Sequence, residues 1–171
     1  VKRLHTALDT VETVETSDGS TAQQVWALTG QEGIENRTEE LIEEATEEVV
    51  LVLGDESLLT DEMVGTLNGL DDGIELVIGA LTERLKERVH EAVPDATTFL
   101  SGLGWLRGAD NDETAIGRLL LVDRSAILVS SITPGNKKEQ AIFGEGFGNG
   151  LVVVARRLMS QGLVTARDPK T

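Results

Sequence analysis

The chain has 171 residues, 40% of them apolar, which suits one compact domain with its own core and excludes a disordered segment. Thirty acidic residues against fifteen basic ones leave a net charge of -15, so this chain itself should grip neither nucleic acid nor an anionic membrane. The lack of cysteine excludes a disulfide framework and thiolate chemistry. No apolar run approaches the ~20 residues of a membrane span, and the N-terminus lacks signal-peptide order, so a cytoplasmic protein is expected.

The acid is spread along helical stretches such as Glu39, Glu40, Glu43, Glu44, Glu47 and Glu48, lysine is scarce, and aromatics make up 3%. These traits predict a halophilic protein, kept soluble where concentrated salt screens its self-repulsion. The sequence opens at Val1 without an initiator Met, as expected of a fragment or processed chain. Val1, Leu4, Leu8 and Val11 are spaced three, four and three, which predicts a helix over 1–16 with a narrow seam that seeks a second helix, hence a homodimer. Ser17-Asp18-Gly19-Ser20 breaks that pattern and marks a linker over 17–24.

From Val25 strands and helices alternate. Val25–Leu28 reads as a short strand. Thr29 with Glu32 reads as a capping box opening a helix with Ile34, Leu41, Ile42 and Ala45 on its core face. Val49–Leu53 is a continuous apolar run ending at Gly54, the mark of a strand buried on both faces in a parallel or mixed sheet. Thr60 caps a second helix bearing Met63, Leu67 and Leu70. After the strand Ile74–Ile78, Thr82 caps a third with Leu85, Val89 and Ala92, stopped by Pro94. Thr97–Leu100 is another short strand. The repeated β-α unit gives an α/β fold, a mixed sheet flanked by helices.

Residues 101–113 form a long loop rich in Gly, Asp and Asn that also holds Leu103, Trp105 and Leu106. Strands over Ile116–Val122 and Ala126–Ser130 follow, joined at Asp123-Arg124-Ser125. A turn at Pro134-Gly135-Asn136 leads to the strand Gln140–Phe143. A last helix carries Phe147, Leu151, Val154 and Leu158 on one face, and residues 164–171 make a polar tail.

His5 and His90 have no partner at metal-ligand spacing and read as solvated helix residues, so neither a metal nor a cofactor is expected. Gly144, Gly146, Gly148 and Gly150 follow a strand and open a helix, but the G-x-G-x-x-G spacing fails at Asn149 and Leu151. They read as a tight strand-to-helix turn.

Ile116-Gly117-Arg118-Leu119-Leu120-Leu121-Val122-Asp123, followed by Ser130-Ser131, resembles the phospholipase D superfamily motif H-x-K-x4-D with its trailing Gly-Ser pair. In that register Arg118 falls on the family's lysine, Asp123 on its aspartate and Ser131 on its serine. Ile116 takes the place of the nucleophilic histidine and has neither lone pair nor titratable proton to replace it, so the chain should not be an enzyme. A residual phosphodiesterase is the alternative. The blocks Val25–Gly30, Val49–Asp55, Ala115–Asp123 and Gly144–Leu151 together make residues 25–163 similar to the phospholipase D-like effector domain of haloarchaeal TrmB-type regulators.

That resemblance implies a dimerising domain that senses a small-molecule effector, a sugar or related metabolite, for a transcription regulator. Its winged helix-turn-helix, and with it DNA binding, lies outside this chain. A pure assembly module with a vestigial pocket is the other alternative. The expected ligand site is Arg118, Asp123, Ser130 and Ser131, with Trp105 and Glu113 from the long loop as a lid. Because Ile116, Arg118 and Leu120 share parity on one strand, alternation points all three to one face, with Asp123 the nearest acid to Arg118.

Overall fold

The computed structural model describes residues 11–15, 24–101, 115–133, 138–146 and 148–157. The expectations placed on Val1, Leu4, His5, Leu8, the linker over 17–23, Trp105, Glu113, the turn at Pro134-Gly135-Asn136, Phe147, Leu158 and the tail 164–171 lie outside these residues. The strands are β1 (Val11–Glu15), β2 (Gln24–Thr29), β3 (Glu48–Leu53), β4 (Glu75–Ala80), β5 (Thr97–Leu100), β6 (Ala115–Val122), β7 (Ala126–Thr133) and β8 (Lys138–Glu145). The helices are α1 (Gln31–Glu43), α2 (Asp61–Asn68), α3 (Glu83–Ala92) and α4 (150–157).

All eight strands join one sheet in the order β1-β2-β8-β7-β6-β3-β4-β5. The β-α units β3-α2-β4 and β4-α3-β5 give parallel pairs, and the remaining pairs are antiparallel. The sheet is therefore mixed, as the apolar run at Val49–Leu53 requires, and from Val49 to Leu53 every residue of β3 is buried. Helices α1, α2 and α3 cover one face through Ile34, Leu41, Ile42, Met63, Leu67, Leu85 and Val89, which pack with Leu51, Leu53, Leu120, Leu128 and Phe143. Helix α4 packs on the other face through Val152 and Ala155, against Val50, Val52, Leu119, Leu121 and Ile127.

Local chemistry explains most boundaries. Thr60 and Thr82 accept from the N–H of Met63 and Leu85, the predicted N-caps of α2 and α3. The cap predicted for α1 does not form. Thr29 is still the last residue of β2, paired with Gln140, and the N-cap is Gly30 at φ 98 with no side-chain hydrogen bond. Asn149 accepts the N–H of Leu151 at the start of α4, after a strand-to-helix turn through Gly146 at φ 112.

Two further expectations are corrected. Val11, placed on the dimerisation helix, lies in strand β1, where Val11–Glu15 pair antiparallel with β2 from Val11↔Leu28 to Glu15↔Gln24. Three β-branched residues in four (Val11, Thr13, Val14) favour a strand, and the 3-4-3 spacing reads as helical only when Val11 is counted with the preceding residues. On α4 the buried face is Val152 and Ala155, whereas Val154 is 57% exposed. The helix begins after Asn149, which sets a different face from the one that counting from Phe147 predicts.

Candidate functional site

Arg118 is fully buried, the largest side chain to be so among the described residues. Its partner is Glu139 on β8, also fully buried. Nε donates to Oε2 at 2.7 Å and Nη2 to Oε1 at 2.8 Å, a bidentate pair. The pair reaches over β7, where the Ser130 hydroxyl oxygen accepts the Arg118 N–H at 2.9 Å. Arg118 Nη1 is buried without a hydrogen-bond partner. The expected association with Asp123 is not formed. In the register of β3 and β6, Arg118 lies opposite Leu53, whereas Asp123 bonds to Glu48 at the other end of β3. Five residues of strand, roughly 16 Å, separate the two ends.

A β-bulge between Ile116 and Leu119 breaks the expected alternation. Ile116 pairs with Ser131 on the face opposite α1–α3, whereas Arg118 and Leu120 face those helices with Ser130 and Leu128. Gly117 carries the bulge. A Cβ there would lie 2.7 Å from the Ser130 hydroxyl, and the Gly117 carbonyl accepts the Gly54 N–H at 2.7 Å. A Cβ on Gly54 would meet the Ile116 carbonyl oxygen at 2.1 Å, so the two glycines permit the close approach of β3 and β6. The bulge therefore splits the candidate set. Arg118 and Ser130 belong to an interior polar cluster, and Ile116 and Ser131 belong to the outer face.

Asp123 closes the β6–β7 turn. Asp123 and Arg124 both have positive φ, 51° and 58°, and the Ser125 N–H donates to the Val122 carbonyl at 3.0 Å. Oδ1 accepts the N–H groups of Glu47 and Glu48 at 2.8 and 2.9 Å. Oδ2 accepts the N–H of Thr46 at 2.9 Å and its hydroxyl at 3.1 Å. Partial burial works against the charge, but the backbone donors of Glu48, Thr46 and Glu47 outweigh it, and the carboxyl pKa is held below its ordinary value.

Two of the open regions on the described residues contrast in charge. The first is a hollow of about 470 Å³ on the outer face of β2, β8, β7 and β6. One row across it is Ala27, Ile142 and Val129, and the next is Thr29, Gln140, Ser131 and Ile116. Thr29 and Gln140 escaped the sequence reading, although their parity with Ala27 and Ile142 was the available signal. The second is a groove of about 660 Å³ between α1 and α2, walled by Glu39, Glu43, Glu62 and Asp71. Desolvation, then the charges of Glu35, Glu43 and Glu62, raise the Glu39 pKa, so carboxylate repulsion is concentrated there.

The sequence matches no protein-family model and no curated protein. Solved structures do resemble the fold. NucT from Helicobacter pylori aligns over 91% of this chain and 98% of its own, with a TM-score of 0.60 and 12% identity. TrmBL2, described as an archaeal chromatin protein with a novel mode of DNA binding, aligns over 96% of this chain with a TM-score of 0.56 and 15% identity. This chain spans 58% of the TrmBL2 chain. The fold is the α/β architecture expected from the sequence, a mixed sheet flanked by helices, and it is shared with these two structures. Among the described residues no helix is long and apolar enough to cross a membrane.

Proposed function

We propose that this chain is the effector-sensing, dimerising domain of a TrmB-type transcription regulator, acting by binding and not by catalysis. The observation that carries the reading is the division made at Gly117. The one strong cation of the motif, Arg118, is sealed inside on Glu139, and the residue in the histidine's place, Ile116, lies on the opposite face. Among the described residues no nucleophile and cation of the motif converge on one cleft, which phosphoryl transfer needs. The likeness to TrmBL2 over 96% of this chain but 58% of that one supports a regulator whose DNA-binding element lies outside these residues.

The effector's place in this reading is the outer hollow, where Ser131, Thr29 and Gln140 each offer both a donor and an acceptor beside an apolar floor. That chemistry suits a hydroxyl-rich metabolite such as a sugar. Arg118, Asp123 and Ser130 then act on the ligand only through the frame they hold. To change DNA affinity the ligand must favour one arrangement of the dimer over another, since equal affinity shifts nothing.

Three measurements test this reading. Neither the chain nor its Ile116→His variant should cleave a chromogenic phosphodiester, because a histidine at 116 would still stand on the face opposite Arg118, which is sealed on Glu139; turnover by either would overturn the non-catalytic reading. Titration calorimetry against sugars and phosphorylated sugars should give a saturable heat that Ser131→Ala and Gln140→Ala each weaken by about tenfold. No heat across the panel would leave the assembly module as the correct function.

The third measurement concerns salt and the proposed halophilic character. With a net charge of -15 and acid crowded along α1, the melting temperature should rise from dilute buffer to molar KCl as screening relieves repulsion. A flat or falling curve would overturn haloadaptation.

A further inference from the structure

The sequence holds two Asn-Gly pairs, Asn68-Gly69 and Asn149-Gly150. In such a pair the glycine nitrogen, with no side chain on the carbon beyond it, can attack the asparagine amide carbon and close a five-membered imide. The fold treats the two pairs differently. Asn149 is 3% exposed, and its side-chain oxygen accepts the Leu151 N–H at 3.0 Å as α4 begins. Asn68 is exposed, the last residue of α2, and its Nδ2 donates to the Ala92 carbonyl at 3.0 Å, where α3 ends.

What guards Asn68 is the final turn of α2. The Gly69 N–H donates to the carbonyls of Gly65 and Thr66 at 3.0 and 3.2 Å, which holds its nitrogen in the helix and off the Asn68 amide carbon. Little holds that turn closed. Helix ends open locally within the native state, and no basic side chain stands in this last turn to meet its negative end. Gly65, Thr66 and Gly69 also line the groove that Glu39, Glu43 and Asp71 wall, so carboxylate repulsion bears on the same turn until salt screens it.

We propose that Asn68 is a deamidation site gated by the salt-dependent opening of this turn. In the open turn the Gly69 nitrogen bonds to Cγ of Asn68 and the Cγ–Nδ2 bond breaks. Ammonia leaves with the proton of the Gly69 N–H, and a cyclic imide remains. Water, the co-reactant, then opens either imide carbonyl and leaves aspartate or isoaspartate at 68. The new carboxylate faces the Ala92 carbonyl oxygen where a donor stood, at the negative end of α2 and just before Asp71 and Asp72, so the turn does not close again as it was. The change is therefore a one-way record of time spent in dilute solution.

The test incubates the whole chain at mildly alkaline pH in dilute buffer and in molar KCl, below its melting temperature in both. A urea-unfolded sample in each salt gives the unprotected rate. Peptide mapping by mass spectrometry reads the amide-to-acid mass gain at Asn68 and Asn149 separately. Relative to the unfolded samples, Asn68 should react about tenfold faster or more in dilute buffer than in KCl, because the rate follows the population of the open turn. Asn149 should lag in both. Gly69→Ala takes a side chain on an ordinary helical backbone, φ -82, and should slow Asn68 without lowering the melting temperature. An Asn68 that keeps its amide in dilute buffer while the unfolded sample loses it overturns the site, and a Gly69→Ala chain that reacts as fast as the wild type overturns the imide route. Equal protection in the two salts overturns the gate. Loss at Asn68 and Asn149 together assigns the reaction to global unfolding and overturns the local opening.

Discussion

Glu139→Ala is expected to cost about 3–5 kcal/mol of folding stability, the largest loss from any single truncation of a polar residue in the described structure. Arg118 has no exposed atom through which to recover hydration, and Nη1 already lacks a partner. Removing the carboxylate would strand Nε and Nη2 as well, leaving a whole guanidinium buried and unpaired. For a chain of this length that loss lowers the melting temperature by roughly 10 °C. Glu139→Gln keeps the shape and one acceptor but not the charge, and should fall between the two. The paired change Arg118→Met with Glu139→Leu should recover most of the stability, because two apolar residues of similar volume avoid the desolvation that the ion pair offsets. Denaturant melts of the four proteins in molar KCl read these differences. A loss of less than about 1 kcal/mol in Glu139→Ala would mean that Arg118 finds solvent or another acceptor, and the sealed cluster would be wrong.

That pair also shows what a sequence can reveal here. The sheet and its helices were legible because Val49–Leu53 is apolar without interruption and because Thr60 and Thr82 precede amphipathic stretches that need caps. The bulge was not legible. A glycine in a strand permits one without requiring it, and the shift at Gly117 exists because the Gly54 N–H and the Ser130 hydroxyl occupy the space there. One inserted residue reverses the facing of all that precede it, so Ile116 and Arg118, matched in parity, end on opposite faces. Glu139 had a detectable signal, since it runs in step with Ala141 and Phe143, both core residues, and an acid in that row demands a buried cation. Asp123 was matched with Arg118, which is not its partner. Its donors are the N–H groups of Thr46–Glu48, which no side-chain pattern reveals and which lie near it only once β3 and β6 pair.

Asp123 carries the last prediction, which concerns acid. Its carboxylate fills both oxygens with three backbone N–H groups and a hydroxyl, and it holds a turn in which Asp123 and Arg124 are both left-handed, a conformation that L-residues other than Asn and Asp adopt reluctantly. Asp123→Ala should cost about 2 kcal/mol at neutral pH, the range for hydrogen bonds to an ionised acceptor, with no further credit for the charge because the site is largely open to solvent. The sign of the pH dependence follows from the direction of the shift. The folded pKa is lowered, so the unfolded chain takes up the proton first. The stabilisation is whole at pH values above the ordinary carboxyl range, around 4, and is lost as pH falls through the folded value beneath it. Many other carboxylates titrate in the same window, so the informative quantity is the difference between wild type and variant in urea melts at fixed molar salt. That difference should be widest at neutral pH and close as the solution is acidified. Asp123→Asn should recover little, because its amide turns an NH2 towards donors that need an acceptor. A difference that stays constant into acid would mean that the ionised carboxylate is not what holds the turn, and a variant as stable as the wild type at neutral pH would remove the clamp altogether.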